Sequence, residues 1–195
     1  MSNRASRPAS ARPVFTPREY LAIDREAATK SEYHNGEIIA MAGASRHHDQ
    51  VSVNTASVLH LRLRGSGCRA HSADMRTGVQ AGATYFYPDF ALSCADRRWE
   101  DDRQDVLLNP IVVVEVLSKS TARYDRLVKL PAYQGMPSVR HILLVEQGRV
   151  QVHHHFRKAR KWTTTTHTSL DDVVKLSAVN CSITLAEIYC EVQFD

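Results

Sequence analysis

YFYPDFALSC at residues 85–94 and IVVVEVLS at residues 111–118 are two apolar runs of strand length, and each holds a single charge, Asp89 in the first and Glu115 in the second. A continuous apolar run of this length, Ile111 to Leu117, reads as a strand covered on both faces. A lone carboxylate in such a sheet is costly, so each acid must be protonated, ion-paired or bound to a cation. One divalent metal shared by Asp89 and Glu115 would satisfy both. Side chains alternate along a strand, which sets Glu115 on the face of Val113 and Leu117, and Asp89 on the face of Tyr87 and Ala91. Alternation alone does not bring those two faces together.

Outward from these strands the chain reads as alternating helices and hairpins. Thr16, Pro17 and Glu19 form a capping-box pattern that starts a helix running to about Ala28. Asn35-Gly36 centres a hairpin within SEYHNGEIIAMAG, and a helix follows from Ser45 to near Gly65. The segment from Cys68 to Cys94 is extended, then ADRRWEDDRQD forms a charged loop. After Leu117, Ser118 or Ser120 caps a helix through RYDRLVKLPAY whose last turn Pro131 should disturb. A hairpin around Gly148-Arg149, a short strand over 173–176 and a helix from Thr184 complete the chain.

Composition fits a soluble globular chain of one domain: 195 residues, 43% hydrophobic and 24% charged. Residues 1–13 read as a solvated basic arm, and 14–195 as the domain. Four of the 25 basic residues (Arg4, Arg7, Arg12, Arg18) precede the first acid, Glu19, which leaves 21 basic against 21 acidic residues in the body. Three of these four arginines lie in the arm, so most of the +4 excess belongs to it and does not argue for a nucleic-acid groove. With no apolar run of membrane-spanning length and no secretion signal at the start, a cytoplasmic location is expected. Cys68, Cys94, Cys181 and Cys190 contain no C-x-x-C pair and read as reduced, mostly buried thiols.

The order of P-D, then Glu in the next apolar strand, resembles the PD-(D/E)xK nuclease superfamily. More closely, YPDFALSCAD, VVVEVLSKST and YDRLVKLPAY, with SEYHNGEIIAMAG and SRHHDQ before them, resemble the Uma-type restriction endonuclease family from about Thr16 to Tyr189. The resemblance implies an α/β, restriction endonuclease-like core: a mixed central sheet flanked by helices, with an N-terminal helix and hairpin. It further implies that Asp89, Glu115 and the Val116 carbonyl hold Mg²⁺, with Mn²⁺ as a substitute, and that the protein hydrolyses DNA phosphodiester bonds. Many nucleases of this superfamily cut as homodimers; no organic cofactor is implied.

Where the superfamily carries a strand lysine, this chain has Leu117. Within the Uma-type group the lysine comes from the next helix, here Lys129, with Asp125 and Tyr133 one turn to either side as supports. Lys119 is the nearer rival, expected to point to solvent. The resemblance offers Glu37 as another carboxylate and His48 as a phosphate contact; Glu37 reads equally as an exposed hairpin charge, and the residues alone favour an exposed polar residue at His48. Arg157, Lys158, Arg160 and Lys161 beside Trp162 are either a DNA-backbone patch with a stacking ring or a charged hairpin end. His153, His154 and His155 invite a zinc site, but alternation lets only His153 and His155 converge. Two alternatives to a nuclease follow: a DNA-binding or interaction module that kept the fold without the chemistry, argued by Leu117, and a zinc hydrolase built on the histidines.

Overall fold

The computed structural model describes residues 14–41, 43–79, 82–94 and 96–194; the basic arm over 1–13 lies outside them. Thr16 caps α1 (Pro17–Glu26): its hydroxyl accepts the Glu19 N–H at 3.2 Å, and the Glu19 carboxylate accepts the Thr16 N–H at 2.7 Å. β1 (Ser31–His34) and β2 (Glu37–Ala40) pair antiparallel about Asn35 and Gly36, whose φ angles of 48° and 90° are those the hairpin turn requires. Ser45 caps α2 (Arg46–Arg62). Then come β3 (Cys68–Ser72), β4 (Arg76–Val79), β5 (Thr84–Phe86) and β6 (Phe90–Cys94), with β7 (Val106–Leu107) directly after the charged segment.

β8 (Val112–Leu117) is buried at all six positions. It leads into α3 (Ala122–Tyr124), a π turn over Asp125–Lys129 and α4 (Leu130–Gly135). Neither Ser118 nor Ser120 caps this segment: Thr121 stands at the N-cap, and the Ser118 hydroxyl instead accepts the Thr121 N–H in the turn before it. Nor does Pro131 spoil the last turn. It falls at the start of α4, directly after the π turn in which the Leu130 N–H reaches back to the Asp125 carbonyl, so the wider turn relieves the clash a proline makes inside a helix.

The remaining elements are β9 (His141–Glu146), β10 (Val152–Lys158), β11 (Lys161–His167), β12 (Val173–Leu176), β13 (Cys181–Thr184) and α5 (Leu185–Ile188). Mixed sheets flanked by helices are present as expected, divided in two. One has six strands in the order β11-β10-β9-β8-β6-β3, the other five in the order β2-β1-β5-β4-β7, and β12 and β13 form a ribbon. β8 and β9 run parallel, joined by the α3–α4 crossover, while the other neighbours of the six-stranded sheet are antiparallel. Cys68 and Cys94 correct the expectation of reduced thiols: they stand directly opposite in the β3–β6 register and form a disulfide. Of the other two, Cys181 is half-buried and Cys190 exposed.

Each face of β8 meets a different layer. Val112, Val114 and Val116 pack with Leu92, Leu143, Val145 and, from α2, Val51 and Leu59. Val113 and Leu117 pack on the other side with Phe86, Ile142, Leu144 and, from α4, Ala132 and Tyr133. Glu115 therefore points toward the crossover helix. A third apolar group, with Tyr20, Tyr33 and Tyr85, seats α1 on the five-stranded sheet.

Candidate active site

Pro88 determines how the site is assembled. It has no N–H for a ladder, so β5 stops at Phe86 and the chain leaves the five-stranded sheet to begin β6 in the other at Phe90. Tyr87 to Asp89 form the junction, held at two points. The Glu32 carboxylate accepts the Tyr87 N–H at 3.0 Å, and Asp89 Oδ2 accepts the Val116 N–H at 2.7 Å. The antiparallel register pairs Phe90 with Val114 and Ala91 with Val113; continued one step, it sets Asp89 opposite Glu115. Asp89 thus reaches β8 at the Val116 N–H, next to Glu115 in the chain.

Glu115 is 3% exposed and fully engaged. Tyr133 donates its hydroxyl to Oε1 at 2.7 Å, and the Lys129 ammonium lies 3.3 Å from Oε1. Lys129 also contacts Glu32 at 2.8 Å and Asp125 at 3.6 Å, and sits over the Phe86 ring at 5.8 Å. Asp125, Lys129 and Tyr133 thus point to one side of the crossover helix, as their four-residue spacing predicts.

The electrostatics follow from one cation among several acids. Burial alone would strip the charge from Lys129, but Glu115, Glu32 and Asp125 outweigh it and raise its pKa, so it stays an ammonium. Burial raises Glu115 well above the ordinary carboxyl range; Lys129 opposes this, and Asp89, Asp125 and Glu32 add to it. Burial likewise raises Glu32 and Asp125. At the Asp89 end, His48 Nε2 is 3.3 Å from Oδ2. Burial works against charge on His48, yet the hydrogen bond and charge of Asp89 prevail and raise its pKa.

Burial makes negative charge on Glu115, Glu32 and Asp125 costly, and a divalent cation beside them would offset that cost. Among the described residues no three His, Cys, Asp or Glu side chains form a metal cage. Mg²⁺ does not need one, because it commonly binds one or two carboxylates and completes its shell with water and phosphate oxygens. Asp89 and Glu115 offer hard oxygen donors. The Val116 carbonyl leaves the strand on the same side as its N–H, toward Asp89, and can add a third. The donor set fits.

The other candidates are distributed as follows. Leu117 is buried in the core and Lys119 is exposed. Glu37 is exposed beside the turn, paired with His34 in the hairpin register. Arg157 donates to the backbone carbonyls of Gln134, Met136 and Pro137 and stacks on Trp162 at 4.9 Å, while Trp162 donates to the Gln134 carbonyl at 3.1 Å. Both therefore brace the end of α4, whereas Lys158, Arg160 and Lys161 are exposed. His153 and His155 share a face and contact Thr166 and Thr164; His154 lies on the opposite face, 2.9 Å from His141.

Glu32 is the site residue that sequence reasoning missed. It has the same residue type as Glu37 in the same hairpin, but it lies three positions before the turn, opposite Ile39, whereas Glu37 adjoins the turn. Distance from Asn35-Gly36 was the usable signal, since the deeper hairpin position is the one covered by another layer.

A model of the Uma2 family, described as putative restriction endonucleases, matches residues 17–186. Two uncharacterized proteins of Synechocystis are similar to this chain: one is 33% identical over 153 residues, covering 78% of this chain and 86% of its own, and the other 30% identical over 188 residues, covering 95% and 96%. The fold is similar to the crystal structure of a putative nuclease of the DUF820 group from Anabaena variabilis, with a TM-score of 0.75 and 16% identity, over 92% of this chain and 99% of that one. With the family model spanning nearly the whole described chain, the protein belongs to the Uma2 family of putative restriction endonucleases.

Proposed function

We propose that this chain is a Mg²⁺-dependent endonuclease that hydrolyses DNA phosphodiester bonds at the Asp89–Glu115–Lys129 cluster. The observation that carries the reading is the β6–β8 register, which, continued one step past Phe90, brings Asp89 of the junction opposite the strand carboxylate Glu115 and its buried partner Lys129. Asp89, Glu115 and the Val116 carbonyl would hold the metal, with Mn²⁺ as a substitute. Bound there, the cation would neutralise charge on the scissile phosphate and lower the pKa of a water. Tyr133 fixes Glu115 in place, and Glu32 and Asp125 hold the Lys129 ammonium beside it, where it can orient the attacking water or stabilise charge on the phosphate. His48 steadies Asp89 from the first turn of α2.

Leu117 in the core favours a second reading, a DNA-binding module without the chemistry. Incubating the purified protein with supercoiled plasmid and short duplexes in Mg²⁺, Mn²⁺, Zn²⁺ or chelator separates the two. Cleavage in Mg²⁺ or Mn²⁺ that stops with chelator is expected. Binding without cleavage in every metal would favour the module, and activity restricted to Zn²⁺ would move the chemistry elsewhere.

A further inference from the structure

The cluster is open on one side. The side chains of Glu32, Glu115, Asp125 and Lys129 each keep no more than 8% of their surface, whereas Asp89 and His48 keep 17%. A phosphate must therefore arrive past Asp89 and His48, at the C-terminal end of β8 where the first turn of α2 meets it. The same end carries charges that the site does not use. Glu146, the last residue of β9, pairs with Leu117 on the face that holds Glu115. It stands two residues along and one strand across from Glu115, about 8 Å away. Its carboxylate accepts from Arg126 of the π turn and lies 3.7 Å from Arg149 of the β9–β10 turn. Two contacts fix that turn beside the opening. The Glu146 N–H donates to the Gln151 carbonyl at 3.0 Å, and the Ser45 hydroxyl donates to Gln147 Oε1 at 2.6 Å. Ser45 caps α2, whose His48 reaches Asp89 at 3.3 Å.

We infer that Arg126 and Arg149 hold backbone phosphates next to the scissile one, so that the DNA lies across the C-terminal ends of β8 and β9 rather than over the β10–β11 hairpin. This rests on the nuclease reading. Two guanidiniums on one carboxylate leave a positive excess, and both stay accessible, with 37% of the Arg126 side chain and 66% of the Arg149 side chain exposed. The planar fork of a guanidinium matches phosphate oxygens. Glu146 is a positioning residue here: it gathers both arginines before DNA arrives, which reduces the ordering cost of binding. The other basic cluster, Lys158, Arg160 and Lys161, lies at the opposite end of the sheet. His153 shares a row with Leu144 and Glu115, and Lys158 is five residues further along β10, about 16 Å away. Phosphate contacts position a strand without reading its sequence.

Fluorescence anisotropy of labelled duplexes in Ca²⁺, repeated across a range of salt concentrations, tests the inference. Arg126→Ala and Arg149→Ala should each weaken binding severalfold, equally on duplexes of unrelated sequence, and each should lower the slope of log affinity against log salt by about one. The triple variant Lys158→Ala/Arg160→Ala/Lys161→Ala should lose less affinity than either. Wild-type affinity and slope in both arginine variants would overturn the inference, as would a loss confined to one sequence or a larger loss in the triple variant. Arg149 stands on an exposed turn, so its variant decides the matter should Arg126→Ala lower the thermal midpoint. Cleavage in Mg²⁺ is read separately. A wild-type protein that binds duplex without cutting it ends the nuclease reading, and the arginine variants then still decide where the DNA lies; a wild-type protein that binds no duplex rejects the docking itself.

Discussion

Lys129 keeps its charge inside the protein because Glu32, Glu115 and Asp125 surround it. Removing it leaves buried carboxylates without their counter-ion, which typically costs ~3–5 kcal/mol when a buried pair is broken. Lys129→Ala should therefore lower the unfolding free energy and, measured where the variant is still folded, reduce single-turnover cleavage by ~100-fold or more. Lys119→Ala, at an exposed position, should change neither. An inactive Lys119→Ala beside an active Lys129→Ala would reverse the assignment. Glu32 is a positioning residue in this account: it grips the ammonium at 2.8 Å and the Tyr87 N–H at 3.0 Å. Glu32→Gln keeps an acceptor for Tyr87 but removes the charge that holds Lys129. Its single-turnover rate should fall about tenfold while duplex affinity in Ca²⁺ holds. An unchanged rate would show that Lys129 is placed without it.

At the scale of elements, the β9–β10 pair carries a prediction unrelated to the site. His141 and His154 are buried, and their rings stack with centroids 5.1 Å apart. The Ala178 N–H donates to His141 Nε2 at 3.2 Å, which places the His141 proton on Nδ1, facing His154 Nε2 at 2.9 Å. Burial pushes His141 down to about 4 and His154, also repelled by His141, to about 3, against 6.5 in the unfolded chain. Between those values the unfolded state binds more protons, so this contribution is complete above pH 6.5 and is lost as the pH falls toward 4. By pH 5 the loss should reach ~2 kcal/mol per histidine. Urea unfolding at pH 7.5 and pH 5 should show the drop, and the double variant His141→Leu/His154→Leu should flatten it. An equal drop in that variant would assign the acid sensitivity elsewhere.

Elements also show what the sequence can carry. The Thr16 capping box, the helix starts at Ser45 and Thr184 and the Asn35-Gly36 hairpin are written in adjacent residues, so local rules found them. The Asp89–Glu115 meeting, the Cys68–Cys94 disulfide and the His141–His154 pair depend on strand register between distant segments, which periodicity does not encode. The π turn was hidden for another reason. Its four-residue spacing of Asp125, Lys129 and Tyr133 reads as an ordinary helix, and only the carbonyl partner of Leu130 distinguishes it.

Across the whole molecule, the site lies where the two sheets exchange the chain. Glu32 comes from the five-stranded sheet, Glu115 from the six-stranded one, Asp89 from the junction between them, and Lys129 from the helix that closes over it. α2 adds His48 from the opposite layer. No single element contains the chemistry, so a cluster this crowded with acids persists because both sheets and the crossover helix hold it in place. Among the described residues no helix is long and apolar enough to cross a membrane.

The proposed chemistry requires Asp89 and Glu115 to share one metal. Asp89→Asn and Glu115→Gln keep size and hydrogen-bonding capacity while removing charge, so circular dichroism should show both folded. Single-turnover cleavage of a labelled duplex, titrated with Mg²⁺, is the measurement. Each variant should cut at least ~100-fold more slowly, and its half-saturating Mg²⁺ concentration, where measurable, should rise. Wild-type rates and an unmoved Mg²⁺ midpoint in both folded variants would contradict the account.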